Sequence, residues 1–479
     1  MLTELAFLLL VAVAGRLSIV RGPASHVDPS GLLVGTALYV TAVAGLLIVG
    51  LPGRPVAAVL ITLSVGAVLT ASRQRSMGSL RWALVGLRPH RRTVVAVMAV
   101  VATGAAFYPL RLVRDATDAG RHLAVGAGLH DGTFALADVS VKGGLSFGAI
   151  EAIGFLAGDV AVMGIVPAFG VAGLLSAFAI VRSVDRAGDA GRWLGLITVA
   201  VLATNARFLT NLVLIGPHLV VAFWLLAMVA TLARSEGEGA RSNVARWVAL
   251  GALALAVSAA RGEGALLVVP AAVPFLVPFG VGLARPADVR AVALGLLLWV
   301  VPYHTAALSV LPTRDGLLTI TLGVLLLLAT VGPVQRRLGR LPLVGLALSL
   351  SWVALAGFFV IEADGMLRRI VSTFANVALD VGGWGVGLLL IVVLAAVVRL
   401  ITREPLPFRA GLLLGTFLPS HLILGILTGE SYAIGEGSSL NRMIFHVYPV
   451  LVVAVGAAIL RMFREETDEA QEQPSEAGR

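Results

Sequence analysis

An all-α, polytopic helical membrane protein is the fold class this sequence predicts, and three observations predict it. Of 479 residues, 58% are hydrophobic, and the mean hydropathy of +0.95 lies well above that of soluble globular chains. Only 13% of residues are charged, and they cluster between apolar runs of bilayer-spanning length. Arginine-rich segments recur at alternate ends of those runs, as they do where basic loops stay cytoplasmic. Together these give about 13–15 transmembrane helices in one membrane unit, because no hydrophilic stretch is long enough for a separate soluble domain.

A net charge of +9 and a pI near 10.9 suggest nucleic acid in a soluble chain. Here the arginines mostly occupy short loops, so no nucleic-acid partner is expected and the lipid bilayer is the first partner. Lys142 is the only lysine. The absence of cysteine excludes disulfides, thiolate metal sites and cysteine nucleophiles. The N-terminus MLTELAFLLL has no basic residue before Arg16 and no clear cleavage site, so it reads as a retained helix.

In chain order, residues 2–20, 31–51 and 55–72 read as spans, and 1–92 forms an N-terminal unit. It closes on Arg73, Arg75, Arg81, Arg88, Arg91 and Arg92, which fix the 73–92 segment as cytoplasmic. The core is 93–461, and its first span (93–107) delivers a long outer loop, 108–147. In that loop DAGRHLAVGAGL places Leu123, Val125 and Leu129 among polar positions, as in a surface-lying helix, and Phe147–Leu156 reads as a second interfacial helix. Further spans are expected at 160–182, 193–206, 211–233, 247–260, 264–283, 291–311, 316–332, 342–361, 380–400, 410–428 and 443–461. Segment 362–379 is expected as an outer loop, and 462–479 as an acidic, disordered cytoplasmic tail.

Asp115 and Asp118 open the long outer loop, and Asp118 stands four residues before His122, one helical turn away. Two readings of these acids stand: caps for the helix that follows, or a general base acting on a hydroxyl. Arg442 lies at the outer end of the last span, where arginine is disfavoured, with His446 one turn further in. A guanidinium there either binds a phosphate through paired N–H donors or snorkels to the interface. Arg261 and Glu263 interrupt an apolar run, either pairing locally or lining a cavity. Arg207 crowds another outer turn with Asn205 and Asn211, and His218 follows in the next helix. There is no phosphate-binding glycine loop with its lysine and no HExxH zinc motif. DVGGWGVG reads as a helix end or packing position. No metal site is assigned, and a divalent cation is the one cofactor left open.

In the order of four features the chain resembles the GT-C superfamily of polytopic glycosyltransferases. They are the acid-bearing outer loop RDATDAGRHLAVGAGLHDG, the hairpin NLVLIGPHLVVAFWLLA, the interrupted helix ARGEGALLVVP and the outer arginine in NRMIFHVYP. The resemblance covers residues 93–461, and the adjacent acid pair many members carry in the first loop is missing. It implies a cell-membrane, multi-pass enzyme with its active face extracytoplasmic, taking a sugar from a polyprenyl-phosphate donor to a glycan, lipid or protein acceptor, with inversion. Asp118 or Asp115 would then be the base, and Arg442, His122, His446, Arg261 and Arg207 the substrate-binding groups. The competing classes are a multi-pass transporter, which usually carries an internal repeat, and a non-catalytic lipid-binding membrane protein.

Overall fold

The run HLVVAFWLLAMVATLAR has no polar face, and the helix it forms, His218–Arg234, is the axis of the fold. Its residues from His218 to Ala230 are buried on every side, as a helix apolar around its whole circumference must be. The computed structural model describes residues 30–71, 116–139, 144–157, 162–184, 189–214, 216–234, 244–261, 264–276, 286–307, 314–338, 343–379, 382–385, 387–401, 405–427, 434 and 439–472. The described residues form α-helices and one short 3-10 turn, with no strand. In chain order the helices are α1 (Ser30–Ile48), α2 (Pro55–Ala71), α3 (Ala116–Asp131), α4 (Ser146–Ala157), α5 (Val162–Arg182) and α6 (Asp189–Ala203). Then come α7 (Ala206–Val213), α8 (His218–Arg234), α9 (Val244–Ser258), α10 (Gly264–Leu276), α11 (Pro286–Ala307) and α12 (Arg314–Ala329). The chain closes with α13 (Gly332–Leu338), α14 (Leu343–Ile361), α15 (Ala363–Ala378), α16 (Gly387–Ile401), α17 (Pro405–Leu427) and α18 (Ser439–Glu472).

Around α8 pack α1, α5, α9, α10 and α18. The Trp224 indole N–H donates to the Leu33 carbonyl at 3.1 Å, and the Tyr39 hydroxyl donates to the Ala149 carbonyl at 2.9 Å. Both buried aromatics thereby satisfy their polar tips and tie α1 to α8 and α4. The turn between α1 and α2 lies against the end of α3, with Leu129 beside Gly53 and the Arg54 guanidinium beside Gly132. At the start of α4 the Leu145 N–H donates to the Ala259 carbonyl at 2.6 Å, and the Ser146 hydroxyl donates to the Ala256 carbonyl at 2.6 Å. These donors satisfy the free carbonyls that end α9. Elsewhere Arg246 pairs with Asp288 at 2.6 Å, joining the starts of α9 and α11. Arg290 donates to the Thr330 carbonyl at 2.9 Å, joining α11 to the end of α12. Turns expected on one side of a bilayer therefore meet each other: 51–55 with 129–132, and 145–146 with 256–259. Those expected on the other side do likewise: Arg246 with Asp288, and Arg290 with Thr330.

Three described helices are long and apolar enough to cross a membrane: Gly31–Ile48, Pro286–Ala306 and Leu440–Phe463. The pair α6–α7, bent by 71°, makes a fourth if counted as one span. Nine further apolar helices run 10–17 residues, shorter than the roughly 20 that a full crossing takes, so the expected 13–15 spans are met in part. The expected spans 2–20 and 93–107 and the arginine cluster 73–92 lie outside the described residues.

Four expectations need correction. Segment 362–379 is not a loop but contains α15, whose Leu367, Ile370, Val371 and Phe374 point outward at helical spacing while Ser372, Ala375 and Asn376 are buried. α4 is not interfacial: Gly144 to Gly154 are buried without a break, since small residues on α4 let α3 approach closely. The hairpin expected from 193–206 and 211–233 contains an extra helix, because Asn205 accepts the Arg207 N–H at 2.9 Å and so caps a new start for α7. The acidic tail is helical as far as Glu472, as its run of good helix formers allows.

Where α9 and α11 cross, a Cβ added to Gly295 would stand 2.1 Å from the Gly251 carbonyl oxygen. That backbone atom cannot swing aside. Gly295→Ala should therefore cost about 1–3 kcal/mol, read as a lower thermal midpoint in detergent, whereas Gly345→Ala, which meets nothing within 4 Å, should leave the midpoint unchanged. Equal midpoints for both variants would refute the close crossing.

Candidate anion-binding site

His218 opens α8, and His446 lies two turns into α18. Their rings meet at the interface of the two helices, Nδ1 of His218 lying 3.0 Å from Nε2 of His446 with ring centroids 5.2 Å apart. The contact is a hydrogen bond when only one of these two nitrogens carries a proton, so the tautomer of one ring sets that of the other. Both residues are buried. Arg261, Arg442, His446 and His122 lie close enough to His218 to act on it electrostatically, and Arg261, His421 and Arg442 do so on His446. Two half-buried arginines and four buried histidines from α3, α8, α17, α18 and the turn after α9 thus gather in one region.

Each residue is placed by a local feature of the sequence. Arg261 follows the Ala259–Ala260 turn, where α9 ends against the start of α4. Arg442 and His446 are one turn apart on α18. His122 lies on the buried face of α3 with Ala119, Val125 and Leu129, and its ring meets Phe147 edge-on at 5.1 Å. One turn on from each, Glu151 faces Gly126 across the α3–α4 contact and is fully buried. Next to this region the Trp384 indole N–H donates to Asn441 Oδ1 at 2.8 Å, and Asn205 Nδ2 donates to the Trp384 carbonyl at 3.1 Å.

Of the seven expected site residues, four come together: His122, Arg261, Arg442 and His446. Arg207 is buried on α7, and its carbonyl accepts from Asn211 Nδ2 at 2.8 Å. It joins the others through Asn205, Trp384 and Asn441. Asp115 lies outside the described residues, as does the side chain of Asp118, whose backbone is in the first turn of α3. Glu263 is likewise outside them. Glu151, Trp384 and Asn441 are additions that the sequence reading did not select, and His218, noted there only as following the Arg207 turn, stands at the centre. Glu151 had a signal, being the lone acid in the apolar run LSFGAIEAIGFLAG.

Such a concentration of guanidinium and imidazole groups favours an anion with several acceptor oxygens, since arginine forks match phosphate geometry. Among the described residues no group of three or more His, Cys, Asp or Glu side chains converges to hold a metal ion, and no step is assigned to one. Comparison with known families finds no match, and comparisons with curated proteins and with solved structures find none either.

An anion that binds only the folded state stabilises it in proportion to the logarithm of its concentration. Such an anion at 100 times its Kd adds about 2.7 kcal/mol, so titrating inorganic phosphate should raise the thermal midpoint. Arg442→Gln and Arg261→Gln should each remove most of that rise. A rise undiminished in both variants would place the anion elsewhere.

Proposed function

We propose that this chain is an integral-membrane glycosyltransferase that moves a sugar from a polyprenyl-phosphate donor to an acceptor hydroxyl, with inversion at the anomeric carbon. The observation that carries the reading is the convergence of Arg261 and Arg442 on the buried His218–His446 pair. Supporting the membrane setting, α14, α15 and α16 turn large apolar side chains outward, among them Val360 at 85%, Ile361 at 81% and Leu400 at 86% exposure. Such continuous apolar surface calls for lipid and not water.

The chemistry follows from the residue types. Arg442 and Arg261 neutralise the lipid phosphate, which makes it a good leaving group without a separate acid. Asp118, one turn before His122 on α3, takes the proton of the acceptor hydroxyl. The oxygen attacks the anomeric carbon from the face opposite the phosphate. The carbon–oxygen bond to phosphate breaks, its electron pair leaves on the lipid phosphate, and the guanidiniums hold the charge that develops. His122, with Phe147 against its ring, lines the approach, and Arg207 belongs to the neighbouring wall. In this reading the active face is extracytoplasmic.

Asp118→Asn keeps the size of the side chain but removes the base, so transfer should fall by roughly 10²–10⁴ while donor binding persists. Asp115→Asn should slow transfer less. If neither change slows transfer, the base does not lie in this loop. Donor binding in wild type with transfer to no acceptor would assign the site to lipid-phosphate binding alone. The orientation is open to cysteine labelling, because the chain has none of its own. Thr133→Cys, on an exposed position, should label in intact cells, and Ser79→Cys only after permeabilisation. The opposite pattern would invert the orientation.

A further inference from the structure

Between α15 and α16 lies the described segment 382–385, of which Gly382 and Trp384 are buried. The Trp384 side chain is fully buried. Gly383 and Gly385, at φ 72° and 61°, turn the backbone through a region that side chains rarely enter, so the indole between them points inward. Its N–H donates to Asn441 Oδ1 at 2.8 Å, its carbonyl accepts from Asn205 Nδ2 at 3.1 Å, and its ring meets Tyr448 at 5.5 Å and 64°. Gly382 donates to the Asn376 carbonyl at 3.1 Å. A Cβ on Gly382 would stand 2.5 Å from that oxygen and 2.7 Å from Asn441 Oδ1.

Two helix starts are therefore fastened to Trp384, and the end of α15 to Gly382 two residues before it. Asn441 is the neighbour of Arg442 in the first turn of α18, Asn205 is the N-cap of α7 two residues before Arg207, and Asn376 stands on the inward face of α15. We propose that Trp384 is a positioning residue that fixes the starts of α7 and α18, and with α18 the Arg442 guanidinium, for the anion. This rests on the reading of the arginine–histidine cluster as a lipid-phosphate site. The outward face of α15, with Leu367, Ile370, Val371 and Phe374, joins the same set of bonds through Asn376, so one short segment links the apolar outer surface to the basic interior. A long arginine on an unfastened helix end would spread its guanidinium over many rotamers, whereas a fixed helix start holds it ready before the anion arrives.

The test uses the full chain in lipid nanodiscs, with a polyprenyl phosphate as ligand and hydrogen exchange as a readout that needs none. Trp384→Phe keeps the ring but removes the donor, leaving Asn441 Oδ1 buried without it. Exchange should rise at the amides of 440–446 and 206–212 and stay unchanged along α9 and α11, and the Kd for the polyprenyl phosphate should rise roughly fivefold to tenfold. The double variant Trp384→Phe/Asn441→Leu removes both partners, so no buried acceptor is left unmet and the thermal midpoint should recover. Affinity should stay lost, because the start of α18 is then no longer bonded to the Trp384 segment. If affinity recovers with the midpoint, Trp384 supports the fold and positions nothing. Unchanged exchange at 440–446 in Trp384→Phe would overturn the proposal without any ligand. Wild type that binds no polyprenyl phosphate would overturn the lipid-phosphate reading, while the exchange pattern would still decide whether the fastening exists.

Discussion

The contact between α8 and α18 is the constraint on which the rest depends. α8 is buried from His218 to Ala230 and α18 over most of Leu440 to Leu460, and each brings a histidine to the shared face. In water, burying so many Leu, Val and Phe side chains would itself drive assembly, at about 1.5–3 kcal/mol per large side chain. In lipid that drive largely disappears, because acyl chains are as apolar as leucine. Close packing and hydrogen bonds then carry the specificity. The glycine approaches, such as Gly173 against the Phe223 ring and Gly295 against the Gly251 carbonyl, are therefore not incidental. Neither are the bonds made by Trp224, Tyr39 and Trp384, each of which joins helices far apart in sequence.

What the sequence disclosed and what it concealed divide along physical lines. Helical character and apolarity are local properties, so the helices and most of their limits were legible. The four-residue spacing of Arg442 and His446, and the break at Arg261, could also be read directly. Helical spacing likewise put Asp118 and His122 one turn apart. Convergence is not local, however. That His218 meets His446 across 228 positions follows from packing, which no spacing encodes. α15 was missed for a different reason. Its 367, 370, 371 and 374 periodicity was present, but Arg368 and Arg369 beside it made the segment resemble a polar loop. Glu151 was passed over because one acid among a dozen apolar residues makes no motif. The Trp384 segment, read as a helix end or packing position, does pack a large ring inward, but its bonds to Asn205 and Asn441 lie far off in sequence and no spacing shows them.

Like charges near one another repel, the more so where screening is weak, and Arg261 and Arg442 both lie close enough to the His218–His446 pair to act on it. Their placement is tolerable because the surrounding helices are fastened independently, by the Arg246–Asp288 pair at one end and the Trp384 bonds at the other. Those bonds hold the surrounding helices in place without help from the basic groups themselves.

The last helix does not stop where its apolar sequence stops. From Leu440 to Phe463 it is long and apolar enough to cross a bilayer, yet it continues as one helix to Glu472. Nine more residues at 1.5 Å each make a stalk of about 13 Å. Arg464 sits at its foot, while Glu465, Glu466, Asp468, Glu469 and Glu472 are carried outward. Anionic headgroups would repel those carboxylates and draw the arginine down. The helix therefore changes character along its length, apolar as far as Phe463 and strongly acidic beyond Arg464.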